Sequence, residues 1–361
     1  MESTRSHTLS QQDGYTGGSE LLDRYDAIVS GLDTRWAPNC SDLRLVGKGG
    51  QGVVFAALRE GADGFTLPIA LKVFSPSSYR LAKDYAEDMG RVAAVAARVA
   101  AVQHENLVAV HNFTAQSGVR VMQMECVDGY DLSQVLTSEM LVKTRRQLEA
   151  VHLQTVEDVI FTDGPAHPRF KPGVAIHIIR DCLAALAALH RDGIIHGDLK
   201  PSNVMLKKSG AAKIIDIGSA VDVRLATERK VWSPLYAAPE VLIGGSITTQ
   251  ADIASIGYVL VEMLSGRSPF EGAKGFDGLV EAKRTLENRL PDLLPPEVMG
   301  SELLLSLCRR LVAADPERRF PDAEAADLGR RGAAAFHRQL VKSNLSSEYG
   351  NDIRVWLEQL A

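Results

Sequence analysis

The apolar residues fall into short period-two runs up to Met124 and mostly into longer helical stripes beyond it. Ser19 is placed to cap a first helix running to about Ser30, with Leu21, Leu22, Tyr25, Ile28 and Val29 on one face. Strand signals begin at Asp42: D-L-R-L-V, a glycine-rich turn, then V-V-F-A-A-L. A loop at Gly61–Gly64 precedes a third strand, L-P-I-A-L-K-V-F. Residues 80–102 read as a helix with small residues, no proline, and a stripe of Val92, Val95, Val99 and Val102. The strands V-A-V-H-N-F and V-R-V-M-Q-M follow, turned at Ser117–Gly118.

Beyond them the pattern predicts helices over Leu132–Leu136, Val174–His190, Thr249–Leu264 and Leu303–Val312. Phe336, Leu340, Ile353, Trp356 and Leu357 mark one or two further helices near the end. Residues 1–18 are polar and read as a disordered tail. A chain of 361 residues with 45% hydrophobic and 24% charged positions is long enough for a large core. Its formal net charge of -5 gives no sign of a nucleic-acid binder or a membrane-surface protein. Four scattered cysteines without a C-x-x-C pair fit a reducing compartment and argue against a zinc site. No long uncharged apolar run predicts a membrane span, and the first residues do not resemble a secretory signal, so a cytoplasmic enzyme is expected.

The candidate chemistry lies in I-I-H-G-D-L-K-P-S-N-V-M-L and the following K-I-I-D-I-G. Asp198, Lys200, Asn203 and Asp216 converge at the edges of two short apolar strands. Burying carboxylates costs several kcal/mol unless they are paired or bound to metal. Mg²⁺ takes hard oxygen donors together with substrate phosphates. Asn203 and Asp216 therefore suggest a Mg²⁺–phosphate site, with Asp198 left as a base. Gly47, Gly49 and Gly52 form G-x-G-x-x-G between two strands, which is either a simple hairpin tip or a flap whose backbone N–H groups approach phosphates. Lys72 stands in the otherwise apolar run I-A-L-K.

D-x-K-x-x-N followed by D-x-G resembles the catalytic and metal loops of protein kinases, and the other blocks lie in order around them. I-A-L-K is similar to the kinase V-A-I-K, M-E-C-V-D-G-Y-D-L to the hinge, and W-S-P-L-Y-A-A-P-E to the end of the activation segment. The resemblance, to bacterial eukaryotic-like Ser/Thr kinases, implies an α+β fold with a small antiparallel sheet, one main helix and a larger helical part. It implies ATP and Mg²⁺ as cofactors and a Ser or Thr of a protein as substrate. By resemblance, Asp198 accepts the hydroxyl proton, Lys200 meets the γ-phosphate and Lys72 the α- and β-phosphates. Gly47, Gly49 and Gly52 cover the phosphates. Val54, Ala70 and Met205 enclose the adenine, Glu125 and Val127 offer it backbone groups, Met124 is the gatekeeper and Asp131 meets the ribose. Asp252 is expected to hold the catalytic-loop backbone, Arg319 to pair with Glu240, and Ser233 to touch the catalytic loop.

Three positions depart from the family pattern. Gly197 stands where many kinases carry arginine, so a phosphate on Thr227 is not expected to be required. Ile217 replaces the phenylalanine of D-F-G. No glutamate lies where one should pair with Lys72; Glu87 is the candidate with the longest reach, beside Asp88 and Arg91. These departures keep a nucleotide-binding pseudokinase open, and H-G-D keeps open an aminoglycoside-type phosphotransferase. The expected layout is a tail and accessory helix over 1–35, a kinase domain over 36–325 and a helical extension over 326–361. Within the domain, the small part spans about 36–124, the hinge 125–131 and the large part 132–325, with an insertion at about 137–173. The basic run of that insertion reads first as a solvated face, and the insertion or the C-terminal helices are the places open to a docking partner.

Overall fold

The computed structural model describes residues 17–31, 36–225, 233–342 and 348–360. The chain separates into two compact units, one of residues 1–100 and 109–126, the other of 101–108 and 127–361.

The first unit is built on a five-stranded antiparallel sheet, β1 (Cys40–Gly49), β2 (Gly52–Glu60), β3 (Thr66–Phe74), β4 (Val110–Gln116) and β5 (Val119–Glu125), in the order β1-β2-β3-β5-β4. Helix α1 (Gly17–Val29) buries Leu21, Tyr25 and Ile28, and Arg24 ties it to the β4–β5 turn at Ser117 O (2.9 Å). Helix α2 (Ala82–Ala101) buries Tyr85, Met89, Val92, Val95 and Val99, a stripe at helical spacing. The Tyr85 hydroxyl donates to Phe74 O and accepts from the Arg120 N–H, linking helix to sheet.

The second unit is mainly helical. A short strand β6 (Gly129–Asp131) leads into α3 (Leu132–Val135), α4 (Ser138–Gln147) and α5 (Ala150–Val159), then the small β7 (Phe161–Thr162) and β8 (Arg169–Phe170) pair. Helix α6 (Pro172–Arg191) is long and apolar enough to cross a membrane by length and composition alone. It is a core helix with Ile176, Ile178, Ile179, Leu183 and Leu186 fully buried. Strands β9 (Ile194–Ile195), β10 (Val204–Lys207), β11 (Ala212–Ile214) and β12 (Val221–Asp222) frame the catalytic-loop segment, with β11-β10-β6 as one small sheet and β12-β9 as another.

After α7 (Pro239–Leu242) comes α8 (Thr249–Ser265), buried on nearly every side between α6 and α12. Gly257 permits that packing, since a Cβ there would lie 2.7 Å from the Leu311 side chain. The remaining helices are α9 (Gly275–Arg284), α10 (Leu286–Leu293), α11 (Pro296–Met299), α12 (Glu302–Val312), α13 (Ala323–Leu328), α14 (Ala333–Lys342) and α15 (Tyr349–Glu358). Residues 137–173 and the C-terminal helix α15 pack on one another. Trp356 is fully buried, edge-on to Phe161 at 5.3 Å, and its indole N–H donates to Thr144. Lys143 Nζ donates to Leu360 O at 2.6 Å.

Candidate active site

In the second unit, Asp252 organises the loop before Asp198. Its Oδ2 accepts from His196 N (2.8 Å) and lies 2.9 Å from His190 Nε2, while Oδ1 accepts from Gly197 N (2.9 Å). Burial alone would push this carboxyl up; the His190 bond, the two nearby imidazoles and the Gly197 N–H outweigh it and hold it below the usual carboxylate range. Gly197 has φ +76°, and a Cβ there would meet Ser219 O at 3.1 Å. Left-handed backbone in a tight place accounts for glycine at this position.

The loop delivers Asp198 into a closed set of donors. Lys200 Nζ lies 2.6 Å from Asp198 Oδ2, and Ser233 N donates to Asp198 Oδ1 at 2.8 Å. Lys200 Nζ also donates to Ser233 Oγ at 2.8 Å. Asn203 Nδ2 donates to the Asp198 carbonyl at 2.8 Å, so the buried Asn203 braces the loop from within. Asp216 sits in left-handed backbone at φ +61° and accepts from Gly218 N at 3.0 Å. The following Ile217 is 1% exposed, an apolar plug in the place expected for it. Met205 on β10 pairs with Asp131 on β6. Asp131 also caps α3, accepting from Gln134 N at 3.1 Å. Val127 begins the second stretch of this unit and is half-buried.

The segment from Ser233 to Glu240 is equally fixed. Arg319 bridges Glu240 at 2.7 and 2.9 Å and donates to the carbonyls of Ala313, Gln250 and Ala314. The Tyr236 hydroxyl donates to Glu262 Oε2 at 2.6 Å; burial raises the Glu262 carboxyl despite that bond. A cavity of about 180 Å³ opens here, lined by Leu136, Lys200, Tyr236 and Glu262 among others. A larger groove of about 510 Å³ runs along α4 alone and reaches none of these groups. Thr227 lies outside the described residues.

The first unit carries the other cluster. β1 and β2 close their hairpin at the Gly49–Gly52 pair. Gly47 and Gly49 face open space, whereas a Cβ on Gly52 (φ +138°) would lie 2.0 Å from Val73 O. The register pairs Val54 with Lys72 and Ala56 with Ala70, then Lys72 with Met122 and Ala70 with Met124. Paired residues share a face of a sheet, so Val54, Ala70, Lys72 and Met124 lie on one side. Lys72 is 3% exposed, and its Nζ donates to Gln51 Oε1 at 2.7 Å. Glu125 donates its N–H to Ala109 O at 2.9 Å at the end of β5.

Glu87 requires a correction. Its side chain is 58% exposed and lies 3.6 Å from Lys83, one turn earlier on the same face. The next residue is turned inward. Asp88 is buried, accepts from the Tyr79 hydroxyl and lies 3.1 Å from Arg91. Sequence reading also missed Gln51 as a Lys72 partner and His190 as a partner of Asp252. Both are long-range bonds that no local spacing encodes.

The protein kinase domain family model matches residues 40–327. The serine/threonine-protein kinase PrkC of Bacillus subtilis is 26% identical over 289 residues, covering 78% of this chain and 38% of that protein. PknB of Mycobacterium tuberculosis is 32% identical over 191 residues, 51% of this chain and 29% of PknB. A probable serine/threonine-protein kinase PknB of Lactococcus lactis is 27% identical over 309 residues, 80% of this chain and 42% of its own length. The chain thus spans less than half the length of these curated relatives. With the matched region running from β1 into α13, the chain belongs to the protein kinase domain family.

Proposed function

We propose that this chain transfers the γ-phosphoryl group of ATP to a serine or threonine hydroxyl of a protein substrate, working in a reducing, cytoplasmic setting. The observation that carries the reading is the convergence of Lys200 and the Ser233 N–H on the Asp198 carboxylate. Asp198 is the group that orients the attacking hydroxyl and accepts its proton. Lys200 stands beside it as the cation for charge developing on the transferred group. Lys72 pairs the nucleotide phosphates, and the backbone of Gly47, Gly49 and Gly52 covers them. By family resemblance, Val54, Ala70 and Met205 are the apolar residues assigned to the base. Glu125 and Val127 supply backbone groups to its edge, and Asp131 meets the ribose.

Asn203 and Asp216 are the residues that would hold Mg²⁺. Their donor set fits a hard cation: Asn203 spends its amide nitrogen on the Asp198 carbonyl, which leaves the amide oxygen as a ligand, and Asp216 adds a carboxylate. Among the described residues no group of three or more His, Cys, Asp or Glu is spaced to hold a metal. Mg²⁺ takes few protein carboxylates and completes its shell with phosphate oxygens and water. Once bound, the ion neutralises charge on the phosphates.

The W-S-P-L-Y-A-A-P-E segment and its Arg319–Glu240 anchor support a protein substrate over a small-molecule acceptor. The test is incubation with γ-labelled ATP, Mg²⁺ and a generic basic protein, followed by analysis of the labelled residue. Label on Ser or Thr supports the reading. Nucleotide binding without transfer returns it to a scaffold role.

A further inference from the structure

Lys283 lies in the last turn of α9 and is fully buried. A lysine in such a place is expensive, because the amine must shed either its water or its charge. Burial drives its pKa down to about 6, against a weaker pull from Glu240. Yet the side chain is not simply tucked away. Its Nζ donates to the backbone oxygen of Leu235 at 2.6 Å. It also sits 3.8 Å from the ring centre of Phe270 and 4.3 Å from that of Tyr258. The two rings fix the direction of the amine, and even the neutral form keeps N–H bonds to give.

Leu235 belongs to a turn that closes on Ser233, with Tyr236 N and Ala237 N both donating to Ser233 O at 3.0 Å. That turn carries the Ser233 groups that meet Asp198 and Lys200. Helix α8 holds it through Ser255 Oγ on Tyr236 O (2.8 Å) and through Glu262 on the Tyr236 hydroxyl. Those anchors act on Tyr236. Lys283 is an anchor from α9, and it acts on Leu235, the residue before Tyr236.

We propose that Lys283 is a positioning residue for the substrate segment: by fixing the Leu235 carbonyl it sets the orientation of the Ser233–Ala237 turn and so the affinity for the peptide substrate. The proposal rests on the kinase reading for its peptide, but not for the turn it orders. A purely structural lysine would affect the melting temperature and nothing specific at the turn.

The test compares the full-length wild type with Lys283→Met, which keeps the apolar stem and loses the donor. Peptide KM should rise about tenfold, with kcat and the KM for ATP within about twofold. Amide hydrogen exchange at Tyr236 and Ala237 should be at least about tenfold faster, with α8 unaffected. Lys283→Gln, which retains a neutral N–H donor, should recover part of both. Unchanged exchange at 236–237 in Lys283→Met overturns the proposal, as does a fall in melting temperature with unchanged peptide KM. If Lys283→Met does not fold, Lys283→Gln is read in the same two ways: intermediate exchange and KM support the proposal, and wild-type values for both overturn it. A wild type that labels no peptide defeats the kinase reading, and exchange alone then decides the positioning.

Discussion

Ser233 donates its backbone N–H to Asp198 Oδ1 at 2.8 Å, while its hydroxyl accepts from Lys200 at 2.8 Å. One residue of the substrate segment thus fixes both the carboxylate and its cation. Ser233→Ala keeps the backbone bond and removes the hydroxyl, so it should lower kcat/KM about tenfold, roughly 1.4 kcal/mol. Ser233→Thr keeps the hydroxyl and should stay near wild type. Steady-state kinetics on a peptide substrate checks both; equal activity of the alanine variant would mean that the Lys200 bond is idle.

Gly52 and Gly50 give a paired test of the hairpin. A side chain at Gly52 must fit φ +138° and a carbonyl oxygen 2.0 Å from its Cβ, whereas Gly50 faces open space. Gly52→Ala should cost at least about 2 kcal/mol of stability. Gly50→Ala should leave the melting temperature close to wild type. Thermal melts of the two variants decide it, and equal midpoints would contradict the register of β2 and β3.

On α2 the two neighbouring acids should behave oppositely. Glu87→Gln alters an exposed pair with Lys83, so stability should change by less than about 0.5 kcal/mol. Asp88→Asn weakens buried bonds to Tyr79 and Arg91 and should cost about 1–3 kcal/mol. A larger loss from Glu87→Gln than from Asp88→Asn would overturn the inward placement of Asp88.

Much of this arrangement is legible in the residue order because it is local. The Asp198–Asn203 loop, the glycine hairpin and the valine stripe of α2 each sit within a few turns of chain. The Arg319–Glu240 bridge was also expected, though 79 residues separate its ends, because both lie in recognisable motifs. The choice between Glu87 and Asp88 was not legible. A helix turns about 100° per residue, so a shift of one position decides which acid faces the core. Lys283 gave no signal either, since a lysine in an amphipathic helix reads as solvent-facing until Tyr258 and Phe270 close over it.

Lys283 should also leave a mark on stability against pH. Its folded pKa is about 6 against an ordinary 10.5, so between those values the unfolded chain binds a proton that the folded chain does not. Stability therefore rises with pH across that window, and the lysine's penalty is fully present below about pH 6. Glu240, held by Arg319, is the charged group whose field reaches it, and the Tyr258 hydroxyl, raised by burial, stays neutral across the window. The stability of Lys283→Met relative to wild type should fall as pH rises from 6 to 9, by at most about 1.4 kcal/mol per pH unit. Denaturation curves at several pH values measure it. A constant difference would mean that Lys283 keeps its ordinary pKa.

The proposed role of Asp198 is that of the base in a phosphoryl transfer. The direct measurement is Asp198→Asn, assayed side by side for Mg²⁺-ATP binding by calorimetry and for transfer of label from γ-labelled ATP to a peptide hydroxyl. Binding should stay within about threefold of wild type, while transfer should fall at least about a hundredfold. Transfer at the wild-type rate with the fold intact would contradict the assignment and move the catalytic role away from the His196–Asn203 loop.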